Sequence, residues 1–205
     1  FEFWHKREPE MESRRDATAG LHQRRRMRYD QITAQWNQKQ QEIARLEAKQ
    51  SVYPPYVERA LQAIRAQCPQ ADARVLCDHI EVTDARWQAA IEGYLRGARF
   101  SILVDAEHEA AAIRIVRSLP GRDNAASVIQ GEKALRDASR IKLPEGSIVH
   151  VLKFSHAIAQ AYMIASFGNV VRVENAEELR RTARGVTVDG MGSGNYRMFR
   201  CDLPD

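Results

Sequence analysis

The glycines of the run Asp189–Asn195 have the most recognisable spacing for chemistry. Gly-x-Gly-x-Gly spacing is typical of loops that bind phosphates through backbone N–H groups at the start of a helix. Here no Gly-Lys-Ser/Thr follows, and Tyr196–Arg200 has the pattern of a strand. We therefore predict no nucleotide site. We interpret Asp189-Gly190 as a hairpin turn, and the later glycines as positions that another backbone can approach closely.

Ser155 and His156 are the residue types of a nucleophile and its base. Neighbours in sequence do not form a triad by position alone, and the Gly-x-Ser-x-Gly elbow of serine hydrolases is missing. We predict instead that Ser155 caps a helix. The other histidines that we considered lack metal-ligand spacing with any cysteine or acid: His79, His108 and His150.

The carboxylates Asp78, Glu81 and Asp84 could form an acid–base pair. They precede a predicted helix, however, and the helix dipole favours negative charge at that end. No desolvated partner is visible in the sequence. We predict no catalytic residue and no metal site in this chain.

Basic residues form two clusters in the second part of the chain. Each could neutralise phosphates without regard to base sequence. Acidic residues interrupt both clusters, so solvated surfaces of mixed charge are the alternative. The candidate DNA-binding residues are Lys133, Arg136, Arg140 and Lys142 in one cluster, and Arg180, Arg181 and Arg184 in the other. A third run, Arg24–Arg26 with Arg28, has the same two interpretations.

Composition excludes several classes of protein. The 205 residues carry 31 Lys and Arg against 27 Asp and Glu, a net charge of +4 that permits an acidic partner without requiring one. The sequence has no apolar stretch long enough for a membrane span and no signal peptide. Its 3 cysteines form no CxxC pair, which favours a reducing cytoplasm. Since the chain starts at Phe1 rather than Met, we interpret it as part of a longer protein.

Residues 1–52 predict one long helix that cannot form a core by itself. Apolar residues follow an a/d heptad pattern at Ile32, Trp36, Ile43 and Leu46, which is typical of a coiled coil and requires a partner helix. Pro54-Pro55 ends this helix. We predict a globular domain over 54–201 and the start of a return segment over 202–205.

The globular part alternates predicted helices and strands, which indicates an α+β (mixed α/β) fold. We predict strands over Phe100–Val104, Ile148–Phe154 and Tyr196–Cys201. We predict helices over Ala85–Leu95 and from Ser155 to Phe167.

Several segments, in their order along the chain, resemble the hinge of an SMC-type ATPase with part of its coiled-coil arm. The first hinge half is matched by Trp87–Leu95, Phe100–Val104 and the helix at 107–119. The second half is matched by Ala161–Val173, Glu177–Leu179 and Gly185–Gly190, followed by Gly192 and Gly194. Within this family, the sequences of these segments most resemble the MukB/MksB-like branch, specifically the Wadjet-type subunits (JetC or EptC).

This resemblance implies a homodimer that joins two arms through strand-to-strand contacts running past glycines. The implied interface residues are Val186, Val188, Gly190, Gly192, Gly194 and Tyr196. The closing turn Gly-Ser-Gly-Asn departs from the doubled glycine of the family, which leaves the dimer geometry open.

The resemblance also implies a DNA-translocating complex of bacterial plasmid defence or chromosome organisation. Its partners would be double-stranded DNA and a kleisin, and its location the cytoplasm, on the nucleoid. No cofactor is expected in this chain, because ATP and Mg²⁺ belong to head domains outside it. Two other classes stay open: a small cytoplasmic α/β enzyme with a regulatory coiled coil, and a protein-binding adaptor.

Overall fold

The computed structural model describes the backbone of residues 8–48 and 53–201, and the side chains of residues 11–40 and 53–201. The chain divides into two compact units, Phe1–Gln50 and Ser51–Asp205. The predicted return segment, 202–205, lies outside the described residues. The domain limits 1–52, 54–201 and 202–205 stay predictions.

The first unit contains one long helix, α1 (Glu8–Ala48). Its many Glu, Gln, Arg and Ala residues are good helix formers, and its described apolar side chains, Ile32 and Trp36 among them, are exposed. The side chains of Ile43 and Leu46 lie outside the described residues. No helix over the described part of the chain is long and apolar enough to cross a membrane.

The helices of the second unit begin where proline or a side-chain cap allows. Pro55 opens α2, which buries Val57, Leu61 and Ile64. The Asp84 carboxylate accepts a hydrogen bond from the Arg86 N–H at the start of α3. The helices are α2 (Pro55–Gln67), α3 (Ala85–Leu95), α4 (Glu109–Arg117), α5 (Gly131–Ala138), α6 (Ala157–Phe167) and α7 (Ala176–Arg181).

The predicted cap of α6 is wrong by one residue. His156, not Ser155, precedes the helix, and its Nδ1 accepts a hydrogen bond from the Ile158 N–H at 3.2 Å. The Ser155 hydroxyl is engaged elsewhere, because its Oγ lies 2.8 Å from Nδ1 of His79. An imidazole can cap a helix only while the accepting nitrogen carries no proton.

The strands are short and form three sheets over the described residues. Antiparallel pairs join β1 to β3 and β2 to β4, and a four-stranded sheet has the order β5-β6-β7-β8. In that sheet β5 and β6 are parallel and the other neighbours antiparallel. The strands are β1 (Arg74–Val75), β2 (Ile80–Val82), β3 (Ile102–Leu103), β4 (Leu152–Phe154), β5 (Val171–Val173), β6 (Gly185–Thr187), β7 (Met191–Gly194) and β8 (Arg197–Arg200).

Three predicted segments differ from the structure. The predicted strand Phe100–Val104 shortens to β3, because Arg96–Phe100 turns as a 3-10 helix. Ile148–Val151 is also a 3-10 helix, so only β4 remains of the strand predicted there. Met191–Gly194, where no strand was predicted and whose glycines were interpreted as points of close backbone approach, is strand β7. Pairing on both sides outweighs the poor strand propensity of its glycines.

Two apolar clusters form the core of the second unit. One gathers α2, α4 and the pair β1–β3 around Ile64, Ile102 and Val116. The other gathers α3, α6 and the four-stranded sheet around Ile91, Met163 and Val186. The predicted mixed α+β class is confirmed, and the two clusters hold the sheets in place from within.

Candidate functional site

The two edges of the four-stranded sheet differ. At β5 the neighbouring loop covers the edge: the Arg172 N–H donates to the Gly146 carbonyl at 2.8 Å, and the Ile148 N–H donates to the Val170 carbonyl at 2.9 Å. At β8 no strand of the described residues lies alongside. An uncovered edge is a template for pairing with another chain.

The hydrogen-bond pattern shows which backbone groups of β8 face outward. The Cys201 N–H donates to the Gly190 carbonyl at 2.7 Å. With the register of the two strands, this means that the backbone N–H and C=O groups of the odd-numbered residues point toward β7. The groups of Met198 and Arg200 therefore point away from the sheet. The Arg200 carbonyl accepts from Nη2 of Arg96 at 3.0 Å. The Met198 N–H and C=O and the Arg200 N–H remain directed outward.

Three large apolar side chains are exposed in the β6–β8 region: Met198 on the edge strand, Tyr196 at the β7–β8 turn and Val188 in the β6–β7 turn. Val188 and Met198 retain 46% and 43% of their accessible surface, and Tyr196 is fully exposed. Tyr196 lies at the tip of the β7–β8 hairpin, where Asn195 and Tyr196 both have positive φ, 50° and 58°. This is the turn geometry that matches the twist of a two-residue hairpin, and glycine usually occupies its second position.

The glycines of β7 make room for rings of the same chain. A Cβ on Gly192 would lie 2.5 Å from Cε2 of Phe199 and 3.0 Å from Cδ2 of Tyr94. A Cβ on Gly194 would lie 3.4 Å from the Tyr94 hydroxyl oxygen, which donates to the Ser193 carbonyl at 2.9 Å. The fold of a single chain therefore explains Gly192, whereas a methyl group at Gly194 would make only ordinary contacts.

The six predicted interface residues therefore occupy different environments. Val186, Gly190 and Gly192 are buried in or beside the inner strands, and Gly194 is half-buried. Val188 and Tyr196 are exposed. Sequence reasoning missed Arg197, Met198 and Arg200 on the edge itself. The sequence does contain a signal for these residues, because they belong to the last predicted strand, and the last strand of a sheet is a candidate edge strand.

A groove of about 590 Å³ runs beside β8. Its charged lining residues are arginines, without a carboxylate among the described lining. The Arg96 guanidinium lies 4.9 Å from the centre of the Phe199 ring, and the Arg184 guanidinium 5.6 Å from that of Phe167. The lining residues are Tyr94, Arg96, Phe167, Arg184, Gly194, Asn195, Arg197, Met198 and Phe199.

The seven candidate DNA-binding residues separate into exposed and anchored ones. Lys133 and Arg136 on α5, Arg140 and Lys142 after it, and Arg180 and Arg181 at the end of α7 are exposed. Arg184 is half-buried, and its Nη1 donates to the Ser166 carbonyl at 2.8 Å and to Oδ1 of Asn169 at 2.7 Å. The fold uses this guanidinium to join α6 to the start of β6.

The histidine and serine side chains meet, but not as a catalytic group. Nδ1 of His79 and Oγ of Ser155 are 2.8 Å apart, and the rings of His79 and His156 are 5.3 Å apart. Burial, the neighbouring His156 and Arg74 lower the pKa of His79. Within the described side chains, no carboxylate hydrogen-bonds to either ring, and no group of three His, Cys, Asp or Glu residues could hold a metal ion.

Comparison with solved structures identifies the fold. The chain is similar to an SMC hinge domain of Geobacillus stearothermophilus, solved as an asymmetric dimer, with a TM-score of 0.57, 22% identity and coverage of 85% of this chain and 76% of that one. It is similar to the Pyrococcus furiosus Smc hinge domain with an extended coiled coil, with a TM-score of 0.55, 19% identity and coverage of 86% and 66%.

A folded elbow of cohesin also matches, with a TM-score of 0.57, 18% identity and coverage of 84% of this chain and 26% of that one. No family model and no curated protein matches the sequence. The chain therefore has the fold of an SMC hinge domain with an adjoining long helix, as the resemblance implies.

Proposed function

We propose that the globular unit is a hinge that joins two copies of this chain, and that the open edge at β8 carries the contact. The observation that supports this most directly is the combination of outward Met198 and Arg200 backbone groups with the exposed side chains of Tyr196 and Met198. A strand added here would satisfy backbone groups and cover apolar surface together. On this proposal the chain has a structural role and no catalysis.

Light scattering of the 205-residue chain over a dilution series tests self-association. We expect a mass twice that of the monomer at high concentration, and dissociation on dilution. A monomer at every concentration would overturn the proposal.

Met198→Pro tests the edge specifically. It removes an N–H that points outward, so the ladder with β7 loses no donor, and proline is tolerated at such edge positions. We expect weaker self-association with the β7–β8 hairpin retained. Met198→Thr is the matched control, because it shortens the same side chain and keeps the N–H. Equal dissociation constants for the two variants would show that the outward N–H plays no part.

We further propose that the parent protein is an SMC-like ATPase of the MukB/MksB-like Wadjet branch, located on the nucleoid in the cytoplasm. Its ATP- and Mg²⁺-binding heads lie outside this chain, and it works with a kleisin and other subunits. The heptad spacing of α1 supports an arm that pairs with a second helix.

Retention of a small plasmid in cells expressing the complete complex tests plasmid defence. Plasmid loss supports that role, and unchanged retention favours chromosome organisation.

Direct contact with double-stranded DNA is a second, compatible proposal. The exposed cations of the two clusters support it, and Arg184, which is anchored inside the fold, is the least suited of the seven. Fluorescence anisotropy with a labelled duplex should show affinity that falls steeply with salt and depends little on sequence. Charge reversal at Arg136, Arg140, Arg180 and Arg181 should remove binding. Unchanged affinity would exclude these residues.

A further inference from the structure

The groove beside β8 lies over one face of the β7–β8 hairpin. Gly194 on β7 stands directly opposite Arg197 on β8, and Gly192 stands opposite Phe199. Residues that are directly opposite in an antiparallel pair direct their side chains to the same face of the sheet. Arg197 and Phe199 therefore both line the groove, and the position in front of Gly194 has no side chain of its own.

The vacant position at Gly194 is flanked by two arginines. Opposite Cα atoms in such a pair are about 5 Å apart, which places Arg197 on one side. On the other side, a Cβ on Gly194 would lie 4.0 Å from Cγ of Arg184 and 3.4 Å from the Tyr94 hydroxyl oxygen. Both are ordinary contacts and Gly194 has no positive φ, so the fold of this chain does not require a glycine there.

Arg184 is anchored without being neutralised. Its Nη1 donates to the Ser166 carbonyl and to the Asn169 side-chain oxygen, which are neutral acceptors, and its guanidinium covers the Phe167 ring. Among the described side chains, no carboxylate forms an ion pair with Arg184 or Arg197, and none lines the groove. Nε and Nη2 of Arg184 remain as a pair of donors, the geometry that binds carboxylate or phosphate oxygens in a bidentate manner.

The charge and the volume of the groove indicate the class of ligand. Two guanidinium groups balance the charge of about −2 that a phosphate monoester carries at neutral pH. A volume of about 590 Å³ is that of a site for a small organic molecule, larger than a phosphate alone needs. Tyr94, Met198 and Phe199 line the remaining space and offer apolar and aromatic surface to the organic part.

We propose that this groove binds the phosphate monoester of a small organic molecule. Arg184 and Arg197 hold the phosphate, Gly194 leaves the room between them, and the organic part lies against Tyr94 and Phe199. The site lies on a face of the sheet, whereas the proposed contact between copies lies on its edge. Ligand binding therefore does not depend on self-association, and a monomeric chain should bind the ester as well.

Isothermal titration calorimetry of the full chain in low-salt, phosphate-free buffer tests the site. The probes are AMP, glycerol phosphate, inorganic phosphate and adenosine. We expect both esters to bind, inorganic phosphate to bind more weakly, and adenosine not to bind. The tighter of the two esters distinguishes a nucleotide from a polyol phosphate as the source of the phosphate. Three results would overturn the inference: no binding of either ester at millimolar concentration, adenosine binding as tightly as AMP, or inorganic phosphate binding as tightly as the esters.

Three variants locate the site. Arg197→Gln should weaken ester binding by about tenfold or more, because it removes charge-assisted hydrogen bonds. Gly194→Ala should also weaken binding while leaving thermal unfolding unchanged, because the methyl group projects between the arginines. Arg200→Gln is the matched control, since it removes the same charge from the same strand but from the opposite face, outside the groove. Equal losses in the two arginine variants would assign binding to general surface charge and overturn the site.

Discussion

Gly192 has the most demanding environment of the residues in the hairpin. The ring of Phe199 and the ring of Tyr94 occupy the space of its missing side chain. Gly192→Ala should therefore lower the free energy of unfolding by about 1–3 kcal/mol, because the rings must shift to admit a methyl group.

Denaturant unfolding measures this loss, and Gly97→Ala is the control. A methyl group on Gly97 would meet no atom within 4 Å, and the residue has no positive φ, so we expect little change there. A Gly192→Ala protein as stable as the unmodified chain, with altered self-association, would instead indicate that the glycine serves the contact between copies.

His79 should make stability depend on pH. Burial, and then His156 and Arg74, lower its pKa below the ordinary value of 6.5, while Asp78 and Asp72 oppose the shift. The folded state thus binds a proton less readily than the unfolded state. The stabilisation is complete above pH 6.5 and is lost as the pH falls through the lowered pKa of the folded state.

Unfolding by denaturant at about pH 7.5 and about pH 5 measures this dependence. His79→Gln should reduce the difference between the two conditions. The exposed His150 provides a control, and His150→Gln should leave the difference as it is in the unmodified chain. An undiminished difference in the His79 variant would assign the effect to other groups.

The backbone at the tip of the β7–β8 hairpin is strained. Tyr196 has a φ of 58°, a conformation that costs a residue with a side chain about 1 kcal/mol or more, and its ring is fully exposed. Tyr196→Gly should stabilise the isolated chain by about 1 kcal/mol and weaken self-association. Thermal unfolding of dilute protein and light scattering measure the two effects. A variant that is more stable and associates equally well would remove the ring from the contact.

Local signals predict some elements of this fold well and others poorly. The Asp84 cap and the apolar spacing of Trp87, Ile91 and Leu95 predict α3 with the bounds that the structure has. The prediction of short strands fails, because the strands they pair with are distant in sequence and leave no local signal. Ile148, Val149 and Val151 are apolar and buried, as in a strand, yet they belong to a 3-10 helix. The Ser147 hydroxyl, just before this helix, donates to the Gly168 carbonyl.

The candidate site was predicted only in part for the same reason. The sequence locates the glycines and the last strand, but strand order decides which residues face outward. Val186 is buried because β6 lies between β5 and β7, while Met198 is exposed because nothing follows β8 in the sheet over the described residues. The spacing of the glycines is equally compatible with contact to a second chain and with the Tyr94 and Phe199 rings of the same one.

At the scale of the whole molecule, pairing should be a property of the second unit. The edge strand β8 belongs to Ser51–Asp205. A chain that begins at Tyr53 should therefore have the same dimer dissociation constant as the full chain, measured by sedimentation equilibrium. A large loss of affinity would assign the main contact to α1 and leave the β8 edge a minor role.

Arg96 has a consequence for how a second strand could align. Its guanidinium holds the Arg200 carbonyl and covers the Phe199 ring, so one end of the β8 edge is already occupied. If a second strand pairs here as proposed, its backbone would have to end its ladder before the Arg200 carbonyl, and a shift by one residue would turn its side chains to the opposite face. On the proposed pairing, Arg96 would therefore help to set the register of the added strand from a position outside β8.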